Sequence, residues 1–168
     1  MTRILLTGFE PFHDWPVNSS WQAVSRLAAR RRGIEARLLP VDHGQAADEL
    51  RGHVADVGPE VLLLTGLASD PVPRLERLGR AGPLSPHGGP VLRRGRWPWL
   101  DAHAEARARG LPLRASFDAG RYVCDTTFWA ALGTGVPMVA FLHLPPPGLV
   151  WTARRAARAV EAVLVAAL

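Results

Sequence analysis

Three residues of this sequence have side chains that could together perform nucleophilic catalysis: Cys124, His143 and Glu76. Cys124 is the only cysteine of the 168 residues and follows a glycine-containing turn at the start of a predicted helix. Unpaired amides and the helix dipole stabilise an anion at such a position, which predicts a thiol pKa lowered toward neutrality. The alternative is a small buried side chain without reactivity, since free cysteine is often buried.

His143 is the candidate base. It follows the apolar run 136–142 and precedes three prolines, so we expect it at the end of a strand. A cysteine nucleophile needs an imidazole that takes its proton and later gives it to the leaving amine. Glu76 would accept a hydrogen bond from that imidazole and fix its tautomer. A structural histidine and a solvated glutamate ion pair remain the alternatives.

The segments that must position these residues alternate between strand-like and helix-like patterns. Apolar runs predict strands over 3–7, 35–40, 61–65, 113–117 and 136–144. Periodicity and end signals predict helices over 18–33, 45–57, 100–109, 123–132 and 149–168. The Pro- and Gly-rich stretch 66–97 predicts irregular structure or a hairpin. We therefore expect one α/β domain over 1–168, with a twisted, mostly parallel sheet between two helical layers and ligands beyond the carboxyl ends of its strands.

Composition argues against several classes of function. The formal net charge is +5 and every basic residue is arginine, but the arginine clusters 30–32, 93–94 and 154–155 are dispersed, so we expect no nucleic-acid partner. No apolar run approaches the roughly 18 residues that span a bilayer, and no targeting segment is evident, which favours a cytoplasmic protein. A single cysteine excludes an internal disulfide and a thiolate-rich zinc site, and the remaining histidines lie in polar surroundings, so we expect no metal.

Short motifs along the chain match one known family in order. Residues 6–12 read LTGFEPF and 17–21 read VNSSW, then 75–78 read LERL, 116–125 read SFDAGRYVCD and 141–145 read FLHLP. This series resembles the TGFEPF loop, the glutamate segment, the nucleophile segment and the histidine strand of the pyroglutamyl peptidase I family. Those enzymes are cysteine peptidases that remove pyroglutamate from peptide N-termini. The resemblance spans nearly the whole chain.

The resemblance implies a Cys124, His143 and Glu76 triad, no cofactor, and a peptide substrate with an N-terminal pyroglutamyl residue. It also implies that the rings of Phe9 and Phe12 hold the flat, uncharged pyrrolidone ring, because apolar faces suit a lactam without charge.

Three further residues are expected at the substrate: Asn18, Leu67 and Val123. Asn18 also fits a helix cap, and Leu67 stands where the family has glutamine. An oligomer of identical chains is a further implication of the resemblance.

The chain also departs from the family pattern. Residues 66–71 read GLASDP where the family has G-Q-A-G-G-R, and the chain is short between the glutamate and the cysteine. The family's arginine downstream of the glutamate has no clear counterpart, although Arg77 and Arg80 are near. Two other functions therefore stay open: a related thiol amidohydrolase with another substrate, and an inert protein that binds a partner through its Trp97 to Trp99 region.

Overall fold

A six-stranded sheet runs through the computed structural model, which describes residues 2–81 and 91–168. Its strands are β1 (Ile4–Phe9), β2 (Ile34–Leu39), β3 (Val61–Leu67), β4 (Arg74–Glu76), β7 (Arg114–Ser116) and β8 (Met138–Leu144); β5 (Leu78–Arg80) and β6 (Leu92–Arg94) form a separate antiparallel pair. The helices are α1 (Ser19–Ala28), α2 (His43–Val57), α3 (Trp99–Ala108), α4 (Val123–Leu132) and α5 (Ala153–Val165).

The strand order is β2-β1-β3-β8-β4-β7. Strands β2, β1, β3 and β8 pair in parallel, whereas β4 runs antiparallel to β8 and parallel to β7. The last strand of the chain, β8, therefore lies inside the sheet between β3 and β4. The predicted mostly parallel sheet is confirmed, with β4 and β7 running opposite to the other four strands.

Helices cover both faces of the sheet. Strands β1 and β3 are buried along their whole length, as expected for strands covered on two sides. One face packs with α1, α3 and α5 in a cluster that includes Leu6, Leu63 and Val160. The other face packs with α2 and α4 around Leu64 and Phe128. The predicted three-layer α/β/α class is confirmed. Among the described residues, no helix is long and apolar enough to cross a membrane.

The stretch 66–97, predicted as irregular structure or a hairpin, contains the three short strands β4, β5 and β6 and, at its start, the end of β3. Residues 82–90 of this stretch lie outside the described residues. They include His87, one of the histidines for which the sequence predicts no metal binding. Trp97 is only 6% exposed, and its indole Nε1 donates to the Val163 carbonyl at 3.2 Å. Trp97 is therefore a core residue and does not form an exposed partner surface.

Strand β1 and helix α1 approach each other closely at Gly8. A Cβ atom on Gly8 would lie 2.7 Å from the backbone N and Cα of Trp21, closer than real Cβ contacts allow. Just beyond, the Phe9 amide donates to Ser20 Oγ at 2.9 Å, and Ser20 N donates to the helix-capping Asn18 Oδ1 at 3.0 Å. The carboxyl end of β1 is thus held against the start of α1.

We expect Gly8→Ala to lower the free energy of unfolding by about 1–3 kcal/mol, because the methyl group must push two backbones apart. Gly52→Ala is the matched control, since Gly52 lies in α2 with no atom within 4 Å of its added Cβ. That control should raise stability by up to about 1 kcal/mol through helix propensity. Urea unfolding of both variants tests this, and equal stabilities would contradict the close approach.

Candidate active site

A buried histidine–carboxylate pair joins β8 to β4. His143 Nδ1 donates to Glu76 Oε1 at 2.8 Å, and Glu76 is fully buried while His143 is 4% exposed. Because a carboxylate can only accept, the proton of the neutral ring lies on Nδ1 and leaves Nε2 free to take another. The structure thus brings together two of the residues selected from the sequence.

The imidazole is held in place on a second side by an aromatic ring. Phe141, two residues earlier on β8 and therefore on the same face of the sheet, packs its ring 4.8 Å from the imidazole centroid to centroid. A base that must lie in one orientation loses less freedom in the reaction when packing already restricts it.

Cys124 is the second residue of α4, and its sulfur lies against the backbone of β3. A Cβ atom on Gly66 would stand 2.9 Å from Cys124 Sγ, so only glycine leaves room there. Gly66 is also the ladder partner of His143 in the parallel β3–β8 pair. The Cys124 sulfur therefore lies against the residue that pairs with His143, at the carboxyl ends of neighbouring strands. Tyr122, the N-cap of α4, makes no side-chain hydrogen bond to the first-turn amides.

Burial, followed by the negative charges of Glu76 and Asp125, raises the pKa of the Cys124 thiol to about 12. Its own backbone amide and the positive charge of Arg74 act in the opposite direction but do not compensate. The residue keeps some accessible surface, yet protein atoms surround the sulfur. The lowered pKa predicted from the helix start is therefore wrong, because desolvation outweighs the helix dipole at this position. At neutral pH the Cys124 thiol therefore stays protonated.

Asp125, next to the cysteine, is buried and links α4 to β5. Its Oδ1 accepts from the Arg80 backbone amide at 2.9 Å. Burial raises the pKa of Asp125, and the hydrogen bond from Arg80 partly opposes that shift. Arg80 thus contacts the neighbour of the nucleophile through its main chain.

The residues expected at the substrate fall into two groups. Phe9 and Val123 belong to one buried cluster against which Cys124 packs, and Leu67 is buried at the carboxyl end of β3. Phe12 is partly exposed on the loop after β1, with its ring edge-on to His13 at 5.4 Å between centroids.

Asn18 uses both ends of its side chain within the protein. Its Oδ1 caps α1, and its Nδ2 donates to the Glu10 carbonyl at 2.9 Å. These bonds fix the loop that follows Phe9 and carries Phe12, and the cap that the sequence allowed for Asn18 is present.

Sequence reasoning missed two residues of the site, Gly66 and Arg74. Arg74 Nε lies 3.4 Å from Glu76 Oε1, whereas the guanidinium of Arg77 stacks on the rings of Trp99 and Phe117. The signal for Arg74 was its spacing: residues two apart on a strand share a face. Within 2–81 and 91–168, no group of three or more His, Cys, Asp or Glu side chains could hold a metal ion.

Comparisons with known proteins agree with this geometry. A family model described as pyroglutamyl peptidase matches residues 2–77. The pyrrolidone-carboxylate peptidase of Chromobacterium violaceum is 34% identical over 165 residues, which cover 86% of this chain and 78% of that protein. The corresponding peptidase of Clavibacter michiganensis is 34% identical over 149 residues, covering 77% of this chain and 70% of the relative.

Solved structures extend the similarity to nearly the whole chain. The pyrrolidone carboxyl peptidase of Thermus thermophilus superposes with a TM-score of 0.85 at 32% identity, covering 97% of this chain and 99% of the other. A mutant enzyme of Pyrococcus furiosus shares the fold, with a TM-score of 0.88 at 22% identity over 98% and 97% of the two chains. The family predicted from the motifs is confirmed: this chain belongs to the pyroglutamyl peptidase family.

Proposed function

We propose that this protein hydrolyses the amide bond that follows an N-terminal pyroglutamyl residue, with Cys124 as nucleophile, His143 as base and Glu76 as the residue that orients the base. One observation carries the assignment. In a chain of this family, the buried 2.8 Å contact between His143 and Glu76 lies at the strand end that the Cys124 sulfur approaches. Membership of the family supports the substrate class.

The first step transfers a proton and forms a carbon–sulfur bond. Because the thiol is neutral at rest, its proton passes to His143 Nε2 as the sulfur attacks the pyroglutamyl carbonyl carbon. The carbonyl π electrons move to oxygen, and the first-turn amides of α4 can donate to that oxyanion. Glu76 stabilises the imidazolium formed on His143 through the Nδ1 hydrogen bond.

The second half of the reaction releases both products. The carbon–nitrogen bond breaks as the imidazolium gives its proton to the departing amine, which leaves a pyroglutamyl thioester on Cys124. Water then attacks the thioester with His143 as base, the carbon–sulfur bond breaks, and pyroglutamate leaves while the thiol regains its proton. The reaction needs no oxidant, metal or cofactor for its balance.

Recognition of the pyrrolidone ring would rest on apolar faces beside the sulfur. Phe9 and Val123 share the buried cluster against Cys124, and Leu67 ends the strand that contains Gly66. Phe12 lies on the loop held by Asn18, where its exposed part can close over a bound ring. A lactam carries no charge, so such apolar contacts supply affinity while backbone groups fix its orientation.

The cellular setting and the assembly are part of this proposal. A catalytic thiol persists in the reduced state in the cytoplasm, which is where we place the activity. A single domain over 1–168 and an oligomer of identical chains remain predictions from the sequence.

We expect Cys124→Ser to lower kcat/KM for a pyroglutamyl aminocoumarin amide by about 1,000-fold or more, because a serine hydroxyl is the poorer nucleophile here. Its Tm should stay within a few degrees of the native value, since one sulfur atom is replaced by oxygen. Full activity of the serine variant would exclude Cys124 as nucleophile. Native turnover of other N-blocked amides, but not of pyroglutamyl amides, would instead favour the related amidohydrolase.

The reactivity of the thiol provides a second test that needs no substrate. A pKa of about 12 leaves about one thiol in 100,000 ionised at pH 7, so fast alkylation requires His143 to accept the proton. We expect His143→Gln to react with iodoacetamide at pH 7 at least about tenfold more slowly than the native protein. Both proteins should react equally once unfolded in urea. Equal rates in the folded state would show that the His143 imidazole does not accept the proton of the Cys124 thiol.

The raised thiol pKa also makes a prediction about stability at alkaline pH. The folded state keeps the Cys124 proton up to a pKa of about 12, whereas the unfolded chain loses it near the ordinary value, about 8.5. The free energy of unfolding should therefore fall as pH rises above about 8.5, by up to about 1.4 kcal/mol per pH unit. The sequence contains no lysine and one tyrosine, so few other groups titrate in this range. Urea unfolding between pH 8.5 and roughly 10.5 should show this slope in the native protein and a flatter one in Cys124→Ala.

A further inference from the structure

We propose that Arg74 is a positioning residue of this site: it holds Glu76 as an aligned anion for His143. This inference rests on the proposed function and deepens it, because it assigns the positive charge that the neighbouring arginines do not supply. Arg77 stacks on aromatic rings, and the side chain of Arg80 pairs with Asp118 at 3.3 Å.

The register of the sheet explains why Arg74 reaches this carboxylate. Arg74 and His143 are direct partners in the antiparallel β4–β8 pair, so their side chains lie on the same face. Glu76 is two residues further along β4 and shares that face. Glu76 Oε1 therefore accepts a hydrogen bond from His143 Nδ1 at 2.8 Å, and it lies 3.4 Å from Arg74 Nε. The second contact is ionic and lacks hydrogen-bond geometry.

The contact between Arg74 and Glu76 is important because Glu76 is both charged and buried. Glu76 has no exposed surface, and a buried carboxylate without a nearby cation is strongly disfavoured as an anion. The groups that act on this site from the packed elements are His143 on β8, Cys124 and the carboxylate Asp125 on α4, and Arg74 on β4; Arg80 on β5 and the carboxylate of Asp118 act on Asp125. Of the two arginines, Arg74 is the one that contacts Glu76.

Arg74 is itself anchored from outside the site. Its Nη1 lies 3.0 Å from Asp70 Oδ2, and Asp70 Oδ1 lies 3.4 Å from Arg114 Nη2 on β7. The guanidinium is thus held between a buried carboxylate and a partly exposed one, and its side chain is only 20% exposed. Such bracketing limits the rotamers of a long side chain, so the charge stays at one distance from Glu76.

Loss of the Arg74 charge should shift the acid side of the pH profile of activity in one direction. Removing a cation from beside a carboxylate and an imidazole favours their protonated forms. The working form needs the carboxylate ionised and Nε2 unprotonated. Activity should therefore disappear at a higher pH on the acid side when Arg74 is replaced by a neutral residue.

The test compares three variants with the native protein in pH profiles of kcat/KM on a pyroglutamyl amide. Arg74→Met should lower the optimal rate by about tenfold and move the acid limb upward by about one pH unit. In Arg74→Lys the acid limb should lie close to its native pH, because the positive charge remains although the planar guanidinium is lost. Arg114→Met is the control, since it removes an equal charge that contacts Asp70 but not Glu76, and its acid limb should stay within a few tenths of a unit.

Two outcomes would overturn the proposal. One is an unchanged acid limb in Arg74→Met with a lowered Tm, which would give Arg74 a purely structural role. The other is an equal shift in Arg114→Met, which would make the effect one of general charge. If the native protein fails to cleave pyroglutamyl amides, the proposed function fails by itself. The same comparison then uses the pH dependence of Cys124 alkylation by iodoacetamide, where the acid side of the rate profile must move upward in Arg74→Met for the positioning role to stand.

Discussion

The site depends on the Glu76 carboxylate, which is buried away from water and has a partner on each of two sides. Glu76 can be buried because β4 runs against β8, which places the carboxylate beside an imidazole and a guanidinium at once. A parallel strand in the same place would have a different ladder and would enter the sheet from its opposite end. The antiparallel pairing of β4 with β8 therefore determines which side chains share the face below α4.

The protonation states at the site follow from the same burial. Desolvation and two nearby carboxylates keep the sulfur protonated, so the helix start contributes amides for an oxyanion and does not store a thiolate. This arrangement differs from cysteine sites in which a thiolate–imidazolium pair exists before substrate arrives. In the proposed reaction the proton moves as the carbon–sulfur bond forms, so the sulfur depends on the imidazole to accept its proton.

Much of this architecture is readable from the sequence, and the exceptions share a cause. A strand over 61–65 and an amphipathic helix over 149–168 were predicted because local periodicity reports burial, and the structure has them as Val61–Leu67 and Ala153–Val165. The helix Val123–Leu132 matches its predicted bounds, and the motifs selected Cys124, His143 and Glu76 as the candidate site. In contrast, Arg74–Glu76 has three residues and no period to detect, and its pairing partner is almost 70 residues away. The role of Gly66 and the thiol pKa depend on that tertiary contact, so no local pattern contains them.

The place of β8 inside the sheet has a consequence for biosynthesis. The strand that carries His143 is translated after the other strands that the structure describes, yet it inserts between β3 and β4 and separates strands made much earlier. A nascent chain on the ribosome can form β1, β2 and β3 as a sheet but has no imidazole to place beside Glu76. A nascent chain that has not yet reached β8 therefore lacks the His143–Glu76 pair on which the proposed hydrolysis depends.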